Sequence, residues 1–214
     1  MKKICVFFLI IFVISVQNLT ANEDFGTWLR DFKKIAVKNG ISKQTVNEVM
    51  NDAEFLPKVI EYDRYQPEFY EDTYTYIRKR SSKEKLKKGL SLYKKEIATI
   101  NKIEKNFGKY LGKMDIISSL STLSFDKRRS AFFTNELLTL LKLIDNNVVD
   151  KNILYGSWAG AFGNFQFMPS TIKNYAIDYN NNSDIELKKI DDSFASAANY
   201  IKKIGWHFQK SIIL

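Results

Sequence analysis

The sequence predicts a mainly α-helical protein, and three observations lead to this fold class. Apolar residues recur at helical spacing in several separate stretches, whereas sustained alternation of apolar and polar residues is missing. The chain of 214 residues contains only three prolines and no low-complexity linker. Its length is sufficient for one sizeable hydrophobic core. We therefore expect a single α-rich domain.

The first residues are typical of a secretory signal peptide. Lys2 and Lys3 supply positive charge, residues 4–16 are uncharged and strongly apolar, and Ala21 is a small residue at the cleavage position. The apolar run is shorter than the roughly 20 residues that span a bilayer, so a membrane anchor is the less favoured alternative. We expect residues 1–21 to be removed and the mature chain, which would lack cysteine, to be exported to the periplasm.

The chain is basic, with a formal net charge of +9 from 33 Lys and Arg against 24 Asp and Glu. A basic surface suits an anionic polymer, and nucleic acid is the usual candidate, but an exported protein seldom meets it. His207 is the only histidine, which excludes a metal cluster built from several histidines.

A helical hairpin is predicted within residues 22–56. The first helix ends before Gly40, a suitable C-terminal cap, and Ser42 can cap the second helix, which stops before Pro57. The apolar positions at helical spacing are Trp28, Leu29, Phe32, Ile35, Ala36, Val46, Val49 and Met50.

Several tyrosines follow between Tyr62 and Tyr76; packing against the domain surface is their default interpretation, and stacking on a ligand is the alternative. Three longer amphipathic helices are then predicted over residues 82–105, 126–145 and 188–204. The third is expected to turn its apolar residues inward, namely Ile190, Phe194, Ala197, Ala198 and Ile201.

A glycine-rich block, GSWAGAFGNFQFMPS, occupies residues 156–170. Glycines among aromatic rings indicate backbone that approaches other groups closely or adopts positive φ angles. The rings of Phe162, Phe165 and Phe167 are expected to lie in the core rather than to form a platform for a ligand. The block resembles the signature of the lytic murein transglycosylase B family, whose members cleave the glycan strands of bacterial peptidoglycan. The resemblance extends from about residue 59 through DRYQPEF and GKYLGKMDIISSLSTLSFDKRRSAFF to Gly205-Trp206.

This resemblance implies a lysozyme-like helical fold for residues 57–214 and peptidoglycan as the partner. Family members continue well past Gly205-Trp206, so this chain is expected to be shortened at its C-terminus. They use one glutamic acid as general acid and then base, and a hydroxyl of the substrate attacks the anomeric carbon to give a 1,6-anhydromuramoyl end. Neither a metal nor a second carboxylate is required, in contrast to most glycosidases.

Two alignments with the family are open for the catalytic acid. In the first, KIEKNFGKYLG matches the catalytic pattern and places Glu104 at the acid. However, the preceding residues are polar, and Lys102 and Lys105 would lower the pKa of Glu104 by stabilising its anion. In the second, residues 89–108 match the helix upstream of the catalytic one, and the catalytic helix is deleted. The chain would then be an inactive relative that binds glycan or has no activity.

Other residues are carried over from the family as substrate-binding groups. The resemblance assigns Ser157, Gln166 and Tyr200 to the glycan cleft, and the alternative for Gln166 is capping of its own turn. Arg128, Arg129 and Glu136 are expected to form structural ion pairs, with Glu136 a minor alternative acid.

The stretch 178–192 spaces oxygen-bearing side chains as a calcium-binding EF-hand loop does. It departs from that pattern because Ser183 replaces the turn glycine and Lys189 replaces the bidentate acid. An Asn-rich surface turn is therefore the preferred interpretation and calcium binding the alternative. The candidate ligands are Asp178, Asn180, Asn182, Asp184 and Asp192.

Overall fold

A computed structural model describes residues 24–66, 70–80, 87, 112–182 and 184–205. The predicted signal peptide 1–21 and, apart from Lys87, the helix predicted over 82–105 lie outside this part of the chain. The described residues are mainly helical, as the sequence predicts. The helices are α1 (24–38), α2 (Lys43–Met50), α3 (Pro57–Arg64), α4 (Thr73–Arg80), α5 (Ile116–Phe125), α6 (Ser130–Asp145), α7 (Pro169–Tyr175) and α8 (Ile190–Lys203).

The centre of the fold is α5, which begins at an N-cap formed by Asp115, whose carboxylate accepts a hydrogen bond from the Ser118 amide at 2.7 Å. Nine of its ten residues are buried, so it has no solvent-facing side. It packs against α6 and α3. Helical periodicity does not distinguish a helix that is buried all around, which explains why the sequence patterns did not mark this one. The buried side chains of α5 and α6 include Ile116, Leu120, Leu123, Phe133, Leu137, Leu140 and Leu141.

The N-terminal hairpin is formed as predicted. Gly40 has a φ of 87° directly after α1, and Ser42 accepts a hydrogen bond from the Thr45 amide at 3.1 Å as the N-cap of α2. The hairpin shares one hydrophobic core with α5 and α6. An aromatic cluster at its edge comprises Phe25, Trp28, Phe32, Phe55 and Phe125.

A two-residue strand, β1 (Met114–Asp115), pairs in antiparallel register with β2 (Tyr155–Gly156), with Met114 opposite Gly156. A Cβ atom built on Gly112, whose φ is 72°, would collide with the backbone carbonyl of Gly156. The start of the glycine-rich block therefore lies directly against the chain that enters α5, at a spacing that only glycine permits.

Three expectations about exposure and helix bounds need correction. Tyr65, Tyr70 and Tyr74 are 62%, 66% and 73% exposed, so the prediction that the tyrosines pack against the domain is wrong for these three. The helix predicted from residue 126 begins at Ser130, because residues 126–129 form a turn held by polar contacts. In α8, Ala198 is exposed and Ile201 is 41% exposed, whereas Ala197 is buried as predicted. The rest of the buried face is polar and consists of Asp192, Ser193 and Ser196.

Within the described part of the chain, no helix combines the length and the apolar character needed to cross a membrane.

Candidate functional site

The glycine-rich block contains a tight loop over residues 163–166. Its ends are joined by two backbone hydrogen bonds between Phe162 and Phe167, with N–O distances of 3.1 and 2.9 Å. Gly163 and Gln166 have φ angles of 77° and 51°. The amide of Gln166 donates to the Gly163 carbonyl at 3.1 Å, and its side-chain Nε2 donates to the same oxygen at 3.0 Å. Gln166 thus caps its own turn, the alternative that the sequence left open.

A left-handed backbone is unfavourable for glutamine by about 1–2 kcal/mol, because its Cβ crowds the following carbonyl. Strain of this kind concentrates at functional sites, where the surrounding structure enforces it. The half-buried Gln166 side chain is therefore held at a fixed position by the loop.

Asn164 attaches this loop to the start of α8. Its amide donates to the Leu187 carbonyl at 2.9 Å, and its side-chain Nδ2 donates to the Lys188 carbonyl at 3.3 Å and to Ser193 Oγ at 3.1 Å. A Cβ atom on Gly163 would meet the Leu187 side chain at 2.8 Å. The loop and the start of α8 therefore form one packed unit that orients Gln166.

Ser157 lies at the other end of the block and closes its first turn. Its Oγ accepts a hydrogen bond from the Ala161 amide at 3.0 Å, and its amide donates to the Ala161 carbonyl at 2.8 Å. The residue is half-buried, and a hydroxyl that accepts one hydrogen bond can also donate one to a ligand.

Tyr200 approaches the block from α8. Its ring centroid lies 5.8 Å from that of Phe167 and 5.1 Å from that of Tyr175. Because Phe167 follows Gln166 and bridges Phe162, Tyr200 and the glycine-rich loop belong to one continuous packing unit. Glu104, with Lys102 and Lys105, lies outside the described residues, so its position relative to this unit stays a prediction.

Phe162 and Phe167 are 1% and 9% exposed, which confirms them as core residues. Phe165 is 41% exposed and stacks on Phe167 at 6.1 Å, so its expected core position is wrong.

Glu136 is buried in α6 and caps α7 rather than forming an ion pair. Its two carboxylate oxygens accept hydrogen bonds from the Ser170 amide at 2.9 Å and the Ser170 hydroxyl at 2.6 Å. A carboxylate at a helix N-terminus satisfies free amides and is stabilised by the helix dipole. The prediction of an ion pair was correct for Arg128 and Arg129 and wrong for Glu136.

The arginine pair belongs to a cluster around one buried carboxylate that the sequence patterns did not mark. Asp63 is 1% exposed and accepts contacts from Arg64 and Arg128 at 3.0 Å, and from Arg129. Arg64 also bonds Asp126 at 2.8 Å. Although burial raises the pKa of Asp126, hydrogen bonds from the Arg64 side chain and the Arg128 amide outweigh it and hold the pKa below its usual range. The cluster joins α3 to the turn before α6.

The predicted calcium ligands form a hydrogen-bonded surface loop closed by Asp192, which is 1% exposed. Its two oxygens accept hydrogen bonds from the Tyr179 amide at 3.0 Å and the Glu186 amide at 2.8 Å. Asp178, Asn180 and Asn182 accept hydrogen bonds from amides of the same loop at 2.9–3.2 Å, and Asp184 is exposed.

Calcium binding by this loop stays a prediction. Among the described residues, no group of three or more His, Cys, Asp or Glu side chains could hold a metal ion. Calcium takes six to eight oxygen ligands, and four of the five candidate side chains accept hydrogen bonds from loop amides.

A protein-family model described as a transglycosylase SLT domain matches residues 24–108 and 94–214, which together cover most of the sequence. The chain belongs to this family. Its sequence is 42% identical over 105 residues to the membrane-bound lytic murein transglycosylase B of Escherichia coli K12, which covers 49% of this chain and 29% of that protein.

Solved structures of transglycosylases have the same lysozyme-like fold. SltB3 from Pseudomonas aeruginosa, solved with NAG-anhNAM-pentapeptide, has a TM-score of 0.73 and 28% identity over 87% of this chain and 54% of that one. Escherichia coli Slt35, solved with calcium, has a TM-score of 0.66 and 28% identity over 89% of this chain and 65% of that one. This chain thus spans less than a third of the length of the curated relative and between half and two thirds of the length of these two solved proteins.

Proposed function

We propose that this chain is an exported lytic transglycosylase that cleaves the MurNAc–GlcNAc bonds of peptidoglycan strands. Family membership carries the proposal, and the packed unit of Ser157, Gln166 and Tyr200 supports it. The related SltB3 binds NAG-anhNAM-pentapeptide, a ligand with the anhydro end that the proposed reaction produces. The basic charge of the chain suits a polymer whose peptides carry carboxylates.

In the proposed reaction the Glu104 carboxyl group donates its proton to the glycosidic oxygen, and the C–O bond to the muramoyl anomeric carbon breaks. The resulting carboxylate takes the proton of the muramoyl O6 hydroxyl as O6 bonds to that carbon. The product is a 1,6-anhydromuramoyl end, and no water, metal or second carboxylate takes part. Gln166 and Ser157 would bond the sugar substituents, and Tyr200 would bound the cleft.

A second candidate is a glycan-binding protein without catalytic activity, and one observation favours it. The two segments matched by the family model overlap, so residues 94–108 are matched twice. Residues 94–108 therefore align with two different segments of the family model. This double match supports the alignment in which the catalytic helix between those two segments is deleted. Lys102 and Lys105 beside Glu104 favour the same alternative, because they stabilise a carboxylate that must be protonated to act.

Release of anhydromuropeptides separates the two candidates. Purified protein is incubated with peptidoglycan sacculi, and soluble products are identified by mass spectrometry. If Glu104 is the acid, the wild type releases 1,6-anhydromuropeptides, and Glu104→Gln lowers the rate by about 10²–10⁴-fold because an amide cannot deliver the proton. If both proteins are inactive but bind sacculi, the chain is the binding protein. Turnover that survives Glu104→Gln would exclude both the inactive binding protein and Glu104 as the acid, and would direct the search to Glu136.

A further inference from the structure

Tyr65 and Tyr70 form a parallel stacked pair on the protein surface. Their ring centroids are 5.1 Å apart, and the ring planes differ by 9°. The side chains are nevertheless 62% and 66% exposed. Because the inner faces contact each other, this exposure belongs to the outer faces and the edges of the two rings.

The pair is held in one orientation by the end of α3. The Tyr65 amide donates to the Glu61 carbonyl at 2.9 Å and closes the helix, and the Tyr70 hydroxyl donates to the Arg64 carbonyl at 3.2 Å. The buried carboxylate of Asp63 anchors the same turn through its arginines. Rings fixed in this way lose little conformational freedom when a ligand stacks on them.

A third tyrosine connects the pair to the glycine-rich block. Tyr62 lies in the last turn of α3, three residues before Tyr65, which is the C-cap of that helix. The Tyr62 ring centroid is 6.5 Å from that of Trp158, and Trp158 follows Ser157 in the block. Tyr62 therefore connects the last turn of α3, whose end carries the exposed pair, to the glycine-rich block.

We propose that Tyr65 and Tyr70 are a stacking platform for sugar rings of the glycan strand, at a distance from the cleaved bond. A pyranose ring has an apolar C–H face that packs on an aromatic ring, while its hydroxyl groups at the edges stay hydrated. An exposed, hydroxyl-bearing ring pair provides this combination of apolar face and polar edge. This inference rests on the proposed function, because continuity with the candidate cleft identifies the polymer.

The test measures binding of full-length mature protein to peptidoglycan sacculi by co-sedimentation and to a β-1,4-linked GlcNAc hexamer by calorimetry. We expect Tyr65→Ala and Tyr70→Ala each to weaken binding about three- to tenfold, the range expected for loss of one aromatic stacking contact. Tyr70→Phe keeps the ring and should stay within about twofold of the wild type. Tyr179→Ala is the matched control, because Tyr179 is also 66% exposed but lies in the loop closed by Asp192.

Three results would overturn the platform. Wild-type affinity in both alanine variants, with binding still weakened by Gln166→Ala, would remove the platform and leave the proposed function intact. A wild type that binds neither sacculi nor the hexamer would overturn both. Tyrosine-dependent binding to anionic phospholipid vesicles without tyrosine-dependent binding to sacculi would assign the pair to a membrane surface instead. Unchanged melting temperatures for the variants confirm that differences in binding are not caused by unfolding.

Discussion

At the scale of single residues, Gln166 combines a binding role proposed for its side chain with a strained backbone. A side chain that bonded only its own turn would be replaced well by glycine, which adopts positive φ angles without strain. The proposed contact with the sugar needs the glutamine amide itself. Substitution can therefore separate the two roles.

We predict that Gln166→Ala and Gln166→Gly both weaken binding to sacculi by about fivefold, the effect of one lost hydrogen bond of about 1 kcal/mol. Gln166→Gly should be more stable than Gln166→Ala by about 1 kcal/mol, because only alanine retains the crowded Cβ. Urea denaturation and co-sedimentation measure the two quantities. Wild-type binding by the glycine variant would leave Gln166 with a structural role alone.

Asp63 provides a second prediction at this scale, and it concerns stability. Asp63→Ala leaves three arginines without their buried counter-charge, and we expect a loss of about 3 kcal/mol in the free energy of unfolding. Asp31→Ala is the control, because Asp31 forms an exposed ion pair with Lys34, and solvent screening makes the contribution of such a pair to stability small. Equal losses in the two variants, measured by urea denaturation, would refute the structural importance of the cluster.

At the scale of elements, one carboxylate joins the start of α2 to the end of α6. Asp145 accepts hydrogen bonds from the Ser42 hydroxyl at 2.5 Å, the Thr45 hydroxyl at 2.6 Å and the Ser42 amide at 3.2 Å. The Ser42 side chain contributes most to holding the pKa of Asp145 below its usual range, followed by that of Thr45.

A folded-state pKa below the unfolded value stabilises the protein at pH values above the ordinary aspartate pKa of about 3.9. This contribution is lost as the pH falls through the lower, folded-state pKa. We predict that Asp145→Asn is less stable than the wild type at pH 7 and that the difference shrinks towards pH 2. Urea denaturation across this range measures it, with the exposed Asp52→Asn as control. A difference that is independent of pH would contradict the assignment.

A further prediction at this scale concerns calcium binding by the loop over residues 178–192. Because its oxygens accept hydrogen bonds from loop amides, we expect millimolar calcium to leave the melting temperature unchanged. Asp184→Ala should then also have no effect, since its exposed carboxylate would matter only as a ligand. A melting temperature that rises with calcium in the wild type and not in Asp184→Ala would establish a calcium site.

How far the sequence predicts the elements depends on whether each has a solvent-facing side. The helices over 24–38 and Lys43–Met50 each have one exposed face and one buried face, and each begins or ends at a recognisable cap. The sequence pattern and the structure therefore agree for these two helices. By contrast, α5 is buried on all sides and has no periodicity to find, although it is the centre of the fold. The role of Asp63 was equally hidden, because its arginine partners Arg128 and Arg129 lie far along the sequence.

In the candidate site, too, the sequence predicts some features and misses those that depend on contacts between separate elements. The glycine-rich block was identified by its composition, because close backbone contacts require glycine. The positive φ of Gln166 was not foreseeable, since glutamine rarely adopts it and the loop that contains it is held by tertiary hydrogen bonds of Asn164. The capping of α7 by Glu136 also depends on a contact between separate elements.

At the scale of the whole molecule, the proposed export determines which chain acts in the cell. We predict that the mature protein begins near Asn22, since small residues precede signal-peptidase cleavage and Ala21 meets this requirement. N-terminal sequencing of protein recovered from the periplasm of an expressing bacterium measures the start. Recovery of Met1 would contradict cleavage and favour an anchored form.

The contact between Gly112 and the Gly156 carbonyl has a consequence for how such a protein can change over generations. Any side chain at Gly112 would push β1 away from the glycine-rich block, whereas replacement of a polar cleft residue leaves the backbone in place. A lineage that has lost catalysis but still binds glycan should therefore keep both glycines, while the polar residues of its cleft are substituted. In a gene that is decaying without selection, the glycines should be lost as readily as their neighbours.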